Sequence, residues 1–537
     1  MTAAAVSRQT GEGSAPAGAD ELLAFLDREP AGQVSNSVYE TGRLVSDAPW
    51  LGGHGKRLAY LLARQGSDGS WGPPGGYALV PTASAVEALL AELVRGGPTG
   101  PAATSGPELP AAAVRGLAAL AQRLAAGTAM PDTPAADLIV PALADRIGAH
   151  LRQLDGGYGP ALPTVDRWRI DTVNALLATD RPMPSKLWHA YEVLGPAAAR
   201  RADVAPIDGA VGASPAATAA WLGHRRTADP AARAYLDAVV ARHGGPVPCC
   251  TPITTFERSW AVATLVRVGL PITPPPGLVA QLTAALGPTG AATGPGLPTD
   301  ADTTSATLYA LAGLGRPVDP VSLLHYDLGS HFCTWQGEDG QSVTTNAHVL
   351  EALGWHVRHT RDGAERYGTR VTGLAGWLRD SQQSDGRWTD RWHASPYYAT
   401  CCAALALAGH APADVADPAV DRATDWVLAT QRDDGGWGRW STTVEETAYA
   451  VQVLLGPGRP LRPQVRAAVA RALEPLHTEP AEHPPLWHDK DLYAPLLIVR
   501  AAVLAARYLA LAITDSTHGS GPIPRQQGAD QGMITTA

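Results

Sequence analysis

Phenylalanine is nearly absent from this chain: three residues in 537, beside 15 Trp and 14 Tyr, with aromatics at only 6%. Charged residues are also few, at 17%, while Gly (56) and Pro (46) are plentiful. That composition argues against a β-sandwich and suits short helices, packed through Ala and Leu and joined by Gly/Pro loops. No block of Lys or Arg occurs and the formal charge is -9, which excludes nucleic acid and an anionic membrane surface as expected partners. The five cysteines (Cys249, Cys250, Cys333, Cys401, Cys402) lack zinc-ligand or C-x-x-C spacing, so reduced thiols in a cytoplasmic protein are expected. No apolar run of transmembrane length is recognised and the small, polar N-terminus has no signal-peptide core, so stable membrane insertion is not expected. The length favours two or three domains.

A polar turn ending in an aromatic residue is present several times. Gln65-Gly66-Ser67-Asp68-Gly69-Ser70-Trp71 precedes the amphipathic run Thr82 to Val94, and Gln153 to Gly159 is a Tyr version. Gln383-Ser384-Asp385-Gly386-Arg387-Trp388 precedes Ser395 to Leu407, and Gln431 to Gly438 precedes Glu445 to Leu455. Weaker echoes are Ile207 to Ala210 and Gln336 to Gly340. Gln383 and Gln431 lie 48 residues apart, room for two helices and their turns. Gln is expected near the end of an outer helix, Asp-Gly in the turn, and Trp packed back before an inner helix begins. Runs such as Cys401 to Leu407 are small and apolar all round, as buried inner helices are. Repetition of inner and outer helices closes into an α/α barrel, so the fold class is all-α.

The chemistry-bearing stretch is Thr299-Asp300-Ala301-Asp302-Thr303-Thr304-Ser305, after the Gly/Pro-rich segment 287–298. Asp300 reads as a helix N-cap or the residue before it, with Asp302 to Ser305 in the first turn. Taken alone, that is an ordinary helix start.

The repeated Q-x-x-D-G-x-W turns resemble the QW motifs of the terpene cyclase and prenyltransferase barrels. Asp300-Ala301-Asp302-Thr303-Thr304 resembles the D-x-D-D-T-A acid motif of the class II terpene cyclases. Further similar segments are Ser37 to Thr41, Leu187 to Glu192, Gly244 through Glu257, and Ser342 to His348. Thr303 stands where the family usually has a third Asp, and this D-x-D-T-T form is similar to the actinobacterial class II sesquiterpene cyclases that make drimenyl diphosphate. The resemblance implies two α/α barrels in a βγ arrangement. Residues 19–50 and 270–516 would form the β domain and 51–269 an inserted γ domain, with disordered ends at 1–18 and 517–537. The active site would lie between the barrels.

It further implies a protonation-initiated cyclisation with the diphosphate retained, acting on farnesyl diphosphate to give a bicyclic drimenyl product. A class II diterpene cyclase acting on geranylgeranyl diphosphate is the alternative, and a non-catalytic α/α toroid the alternative of another class. A prenyl diphosphate is then the partner, and a homodimer is left open. Asp302 is the implied proton donor, with Asp300 as its neighbour; burial and a nearby carboxylate keep such an acid protonated. Thr344 and His348, on one helical face, are candidates to orient it. His189 matches a histidine that holds a proton-accepting water in plant relatives, where the paired asparagine position is here Cys249. Trp335, Trp388, Trp392, Tyr397 and Tyr398 are candidates for cation–π stabilisation of the carbocation, or for core packing. Lys186, Arg391 and Lys490 are candidate diphosphate ligands, or ordinary surface and interbarrel charges. Asp132 and Asp137 are candidate Mg²⁺ ligands, or solvated loop acids.

Overall fold

The computed structural model describes residues 18–96, 108–154, 158–195, 201–223, 229–338, 340–456 and 461–515. The ends expected to be disordered lie outside the described residues, apart from Gly18, which precedes the helix Ala19–Arg28. Asp155 to Gly157 of the Tyr turn and Asp339 also lie outside them.

The Trp turns explain why the helices pair as they do. In each of three turns a glutamine amide donates to the turn glycine's carbonyl and to a carbonyl of a neighbouring outer helix. Gln65 Nε2 reaches Gly69 O and Ala112 O, Gln382 Nε2 reaches Gly386 O and Ala419 O, and Gln431 Nε2 reaches Gly435 O and Ala468 O. An arginine of that neighbour (Arg115, Arg422 or Arg471) donates to the glutamine's other atom, Oε1. The Trp indole then donates to a carbonyl ten residues earlier, at 2.7 to 2.8 Å: Trp71 to Leu61, Trp388 to Leu378, Trp437 to Val427. Its backbone N–H donates to a threonine on the following inner helix: Thr82, Thr400 or Thr447. One turn thus ties together the helix before it, the helix after it and the next outer helix. The glutamine of the turn ending in Trp388 is Gln382, not Gln383 as expected; Gln383 bonds with Thr389 and Arg387 instead. Two adjacent glutamines made the register ambiguous in sequence. The spacing of the bonded glutamines, Gln382 and Gln431, equals that of Trp388 and Trp437.

Two closed rings of inner helices result. In the first, α1 (Val38–Asp47), α2 (Leu79–Val94), α3 (Ala136–Gln153), the 3₁₀ segment Ser185–Val193 and α4 (Pro215–Leu222) pack in succession, and α4 returns to α1. In the second, α5 (Thr254–Arg267), α6 (Ala301–Gly313), α7 (Val343–His359), α8 (Pro396–His410), α9 (Val444–Leu454) and α10 (Leu496–Asp515) do the same, α10 closing on α5. Helices such as Glu108–Ala125, Gly363–Asp380, Ala413–Ala429 and Pro463–His477 form the outer layer.

The rings shift the expected division of the chain. α1, placed in the β domain by the sequence reading, buries Tyr39 and Val45 in the first barrel's core, with Val86 and Leu89 of α2. α5, placed in the inserted domain, buries Phe256 and Trp260 in the second. The packing changes over near Ser37 and Cys249, not at residues 50 and 269.

Among the described residues two helical stretches, Gly75–Val94 and Leu496–Ile513, are long and apolar enough to cross a membrane by length and composition, which corrects the expectation that no such run exists. Both are inner-ring helices, mostly buried inside the protein. All five cysteines are buried and free.

Candidate active site

The acid motif is held at the seam where a short hairpin enters α6. β1 (Ala291–Ala292) pairs antiparallel with β2 (Thr299–Asp300), so Asp300 is extended and stands as the N-cap of α6. Its Oδ1 accepts the Thr303 N–H at 2.6 Å, and its Oδ2 is the acceptor for the Thr293 hydroxyl at 3.5 Å. Thr304 Oγ1 donates to Asp300 O and accepts the Ala291 N–H, locking the hairpin to the first turn. Gly290, with φ +103°, passes so close that a Cβ there would collide with Thr304 Oγ1. Burial pushes the Asp300 carboxyl up to about 7; the Thr303 N–H opposes this and the Asp302 carboxylate adds to it.

Asp302 lies in the first turn of α6 and on the wall of a cavity. His348 Nδ1 meets its Oδ1 at 2.6 Å. Trp260 of α5 meets the His348 ring edge-on at 5.2 Å and donates its indole N–H to the Tyr398 hydroxyl at 2.8 Å. Thr344 does not join them. Its Oγ1 donates to Asp390 Oδ2 at 2.9 Å, and the same carboxylate accepts from Ser342 Oγ, the Thr344 N–H and the Trp392 N–H. Thr344 shares a helix face with His348, but it stands at the helix start, where free backbone donors gather a carboxylate from the next loop. That loop carries Arg391 and Trp392 to the cavity.

The cavity, about 720 Å³, lies between the two barrels. Asp132, Asp137, Arg169, Lys186 and His189 line it from the first; Asp300, Asp302, Trp335, Glu338, Arg391, Trp392, Tyr398 and Asp489 line it from the second half of the chain. Its size is in the upper part of the range of about 300–1,000 Å³ usual for small-molecule sites. Trp335 and Trp392 meet edge-to-face at 5.0 Å on its wall. Two of the five expected aromatic positions are elsewhere: Trp388 is fully buried in its turn, and Tyr397 packs on Trp426 at 4.7 Å. Four aromatics on the wall were missed: Phe256, Trp260, Trp487 and Tyr493. Nothing in their local sequence marks them, because the ring closure that brings α5 beside α6 is a long-range fact.

The expected cations divide. Lys186 Nζ is 3.0 Å from Gly337 O across the barrel seam, and Arg391 pairs with Asp132 and Glu338, each at 2.9 Å. Both line the cavity, as does Arg169, which pairs with Asp137. Lys490 is not on its wall. It is fully buried in the turn between β3 (Trp487–His488) and β4 (Leu492–Tyr493) and plugs the first barrel's end, bonded to Glu40, Glu192, Ser214 Oγ and His189 O at 2.9 to 3.0 Å. A lysine so committed is an interbarrel rivet and has no donor to spare for a diphosphate.

His189 departs from its expected role too. Its Nδ1 donates to Gly212 O at 2.6 Å and its Nε2 lies 2.8 Å from Asp489 Oδ1. Both ring nitrogens therefore face acceptors, which requires the doubly protonated imidazolium. Burial alone would lower its pKa, but the Asp489 carboxylate outweighs that and holds it above the ordinary histidine value. Burial likewise pushes Asp489 up, but the His189 charge, their hydrogen bond and Lys490 leave it well below the usual carboxylate range. An imidazolium has no lone pair with which to hold a proton-accepting water.

Paired barrels, a buried two-carboxylate motif at a helix start and an aromatic-walled cavity with cations at its rim define a class of protonating cyclase. Comparison with known proteins agrees. Residues 338–462 match the family model described as the squalene-hopene cyclase C-terminal domain. The chain is 44% identical over 496 residues to an ent-copalyl diphosphate synthase of Streptomyces sp. (strain KO-3988), covering 91% of this chain and 94% of that one. It is 41% identical over 503 residues to a labda-7,13-dienyl diphosphate synthase of Streptomyces clavuligerus, covering 91% of each. The solved ent-copalyl diphosphate synthase from Streptomyces platensis superposes with a TM-score of 0.85 at 46% identity, covering 92% of this chain and 98% of that structure. The chain belongs to the class II terpene cyclases. These relatives are copalyl and labdadienyl diphosphate synthases, so the drimenyl specificity expected from the D-x-D-T-T form finds no support among them.

Proposed function

We propose that this enzyme is a class II diterpene cyclase, converting geranylgeranyl diphosphate to a bicyclic, copalyl-type diphosphate without ionising the diphosphate. The buried Asp302–His348 pair on the wall of a cavity rimmed by Lys186, Arg169 and Arg391 carries the mechanism, and the similarity to copalyl diphosphate synthases supports the C20 substrate.

The catalytic proton is assigned to Asp302 on geometry. Both Asp300 oxygens are engaged in the N-cap and with Thr293, which leaves Asp302 as the carboxyl that faces the substrate, with Asp300 as its neighbour. The Asp302 proton adds to the terminal alkene, and two successive alkene attacks close two rings. His348 donates to the carboxylate left behind and offsets its charge as it forms. Trp335, Trp392, Tyr398 and Trp260 offer π faces to the cation.

Mg²⁺ is the cofactor we assign. Among the described residues no group of three or more His, Cys, Asp or Glu side chains is gathered to cage a metal. Asp132 and Asp137 line the cavity with partly exposed carboxylates, which fits an ion held by one or two carboxylates together with phosphate oxygens. When bound, it would neutralise diphosphate charge; Lys186, Arg169 and Arg391 do the same from the protein side.

Chain length is tested by incubating the purified enzyme with geranylgeranyl and farnesyl diphosphates, then phosphatase and mass analysis. A higher kcat/KM for the C20 substrate is expected. A higher value for farnesyl diphosphate would move the enzyme to the sesquiterpene class, and turnover of neither would leave a binding toroid.

A further inference from the structure

We infer that Asp489 is the base that ends the reaction, accepting the proton that the bicyclic carbocation loses, and that His189 is the positioning residue that holds it. This rests on the cyclase reading above and concerns a residue that sequence reasoning left unassigned.

Asp489 lines the same cavity as Asp302, on the turn that inserts between the barrels. Its carboxylate accepts the Lys490 N–H at 2.7 Å, a bond from His189 at 2.8 Å and a bond from the Cys249 thiol. Three donors serve a group with about four acceptor sites, so one site remains for an arriving proton. Among the described residues, the neighbouring groups on this wall are engaged otherwise, and His488 spends Nδ1 on Arg391 O and Nε2 on the Tyr77 hydroxyl. His189 has both nitrogens on acceptors, Lys490 is a cation, and burial holds Cys249 and Cys250 as thiols. A carboxylate kept ionised by its partners is a weak base toward water-borne acids. A carbocation β-C–H is so strong an acid that weak basicity suffices, and a fixed negative charge also draws the final cation toward it.

The balance is simple. The Asp302 proton forms the first C–H bond, and two alkene π pairs become the two ring C–C bonds. A C–H bond next to the final cationic carbon breaks, its electron pair forms the product alkene, and the proton goes to Asp489. Substrate and product are isomers. Asp302 ends as a carboxylate and Asp489 as the acid, and exchange with solvent resets both.

The test compares wild type, Asp489→Asn and His189→Gln with geranylgeranyl diphosphate, reading the ratio of hydroxylated to alkene bicyclic product after phosphatase. Without its base the cation is captured by water, so Asp489→Asn should raise that ratio on the order of 100-fold, the usual worth of a positioned base. A merely structural aspartate would lower yield and leave the ratio unchanged, and that result overturns the inference while the cyclase reading stands. If Asp489→Asn does not fold, His189→Gln decides. It keeps Asp489 but removes the bond that holds it, so the ratio should rise while the alkene stays the main product; an unchanged ratio would deny His189 a positioning role and a full switch to the alcohol would make it the base, and either overturns the inference. Should wild type cyclise only farnesyl diphosphate, the same ratio is read on that product; a wild type that cyclises neither overturns both readings.

Discussion

His348 Nδ1 lies 2.6 Å from Asp302 Oδ1, with both side chains almost wholly buried at the meeting of α6 and α7. The bond fixes which way the acid turns and offers a donor to the anion it becomes. His348→Ala should therefore lower kcat on the order of 100-fold, with a much smaller change in KM. Single-turnover kinetics separate the two.

Thr344 and His348 were expected to act together, and the structure separates them. Thr344→Val removes one of four bonds to Asp390, which holds the loop bearing Arg391 and Trp392. The expected result is a loss of about 1–3 kcal/mol of stability and a raised KM, with the pH profile of kcat unchanged. Denaturant melts and steady-state kinetics check this.

Gln382 and Gln383 are adjacent, yet only Gln382 ties its turn to Ala419 of the neighbouring outer helix. Gln382→Ala leaves two partly buried carbonyls and the Arg422 guanidinium short of a partner, and should cost about 1–3 kcal/mol. Gln383→Ala, at a half-buried position outside the tie to the neighbouring helix, should stay within about 0.5 kcal/mol. Thermal melts of the two variants side by side give the answer.

Much of the molecule was legible in the sequence. The Trp turns announced inner and outer helices because Gln, Asp-Gly and Trp each have one local task, and the acid motif was legible because an N-cap and its first turn are local as well. What remained hidden depends on ring closure. Nothing near Val38 or Thr254 says which barrel those helices complete, and nothing near Lys490 says that it is driven into the other barrel against Glu40 and Glu192. Asp489 was hidden for the same reason, since its partners His189 and Cys249 are 300 and 240 residues away.

Lys490 and Lys186 should respond oppositely to removal. Lys490→Met strands Glu40 and Glu192 in the interior and should cost about 3–5 kcal/mol. Lys186→Ala should leave stability nearly unchanged and raise KM about 10- to 100-fold, the worth of one charge-assisted hydrogen bond to a diphosphate. A melt and a KM determination on each variant distinguish a rivet from a ligand.

Burial raises Asp300 to about 7 in the folded state, against about 3.9 in the unfolded chain. Its contribution to stability is thus whole below pH 4 and is lost as pH rises to 7. Activity should fall above about pH 7 as Asp300 beside the acid loses its proton, and Asp300→Asn should flatten the decline in stability between pH 4 and 7. Melts across that range and the pH dependence of kcat/KM test both statements.

The central claim is that Asp302 delivers the proton. Asp302→Asn keeps the shape of the site and removes the acid, so purified variant and wild type are incubated with geranylgeranyl diphosphate and Mg²⁺, dephosphorylated and weighed by mass spectrometry. We expect a bicyclic alcohol from wild type and none from a folded Asp302→Asn; undiminished cyclisation by the variant would contradict the mechanism.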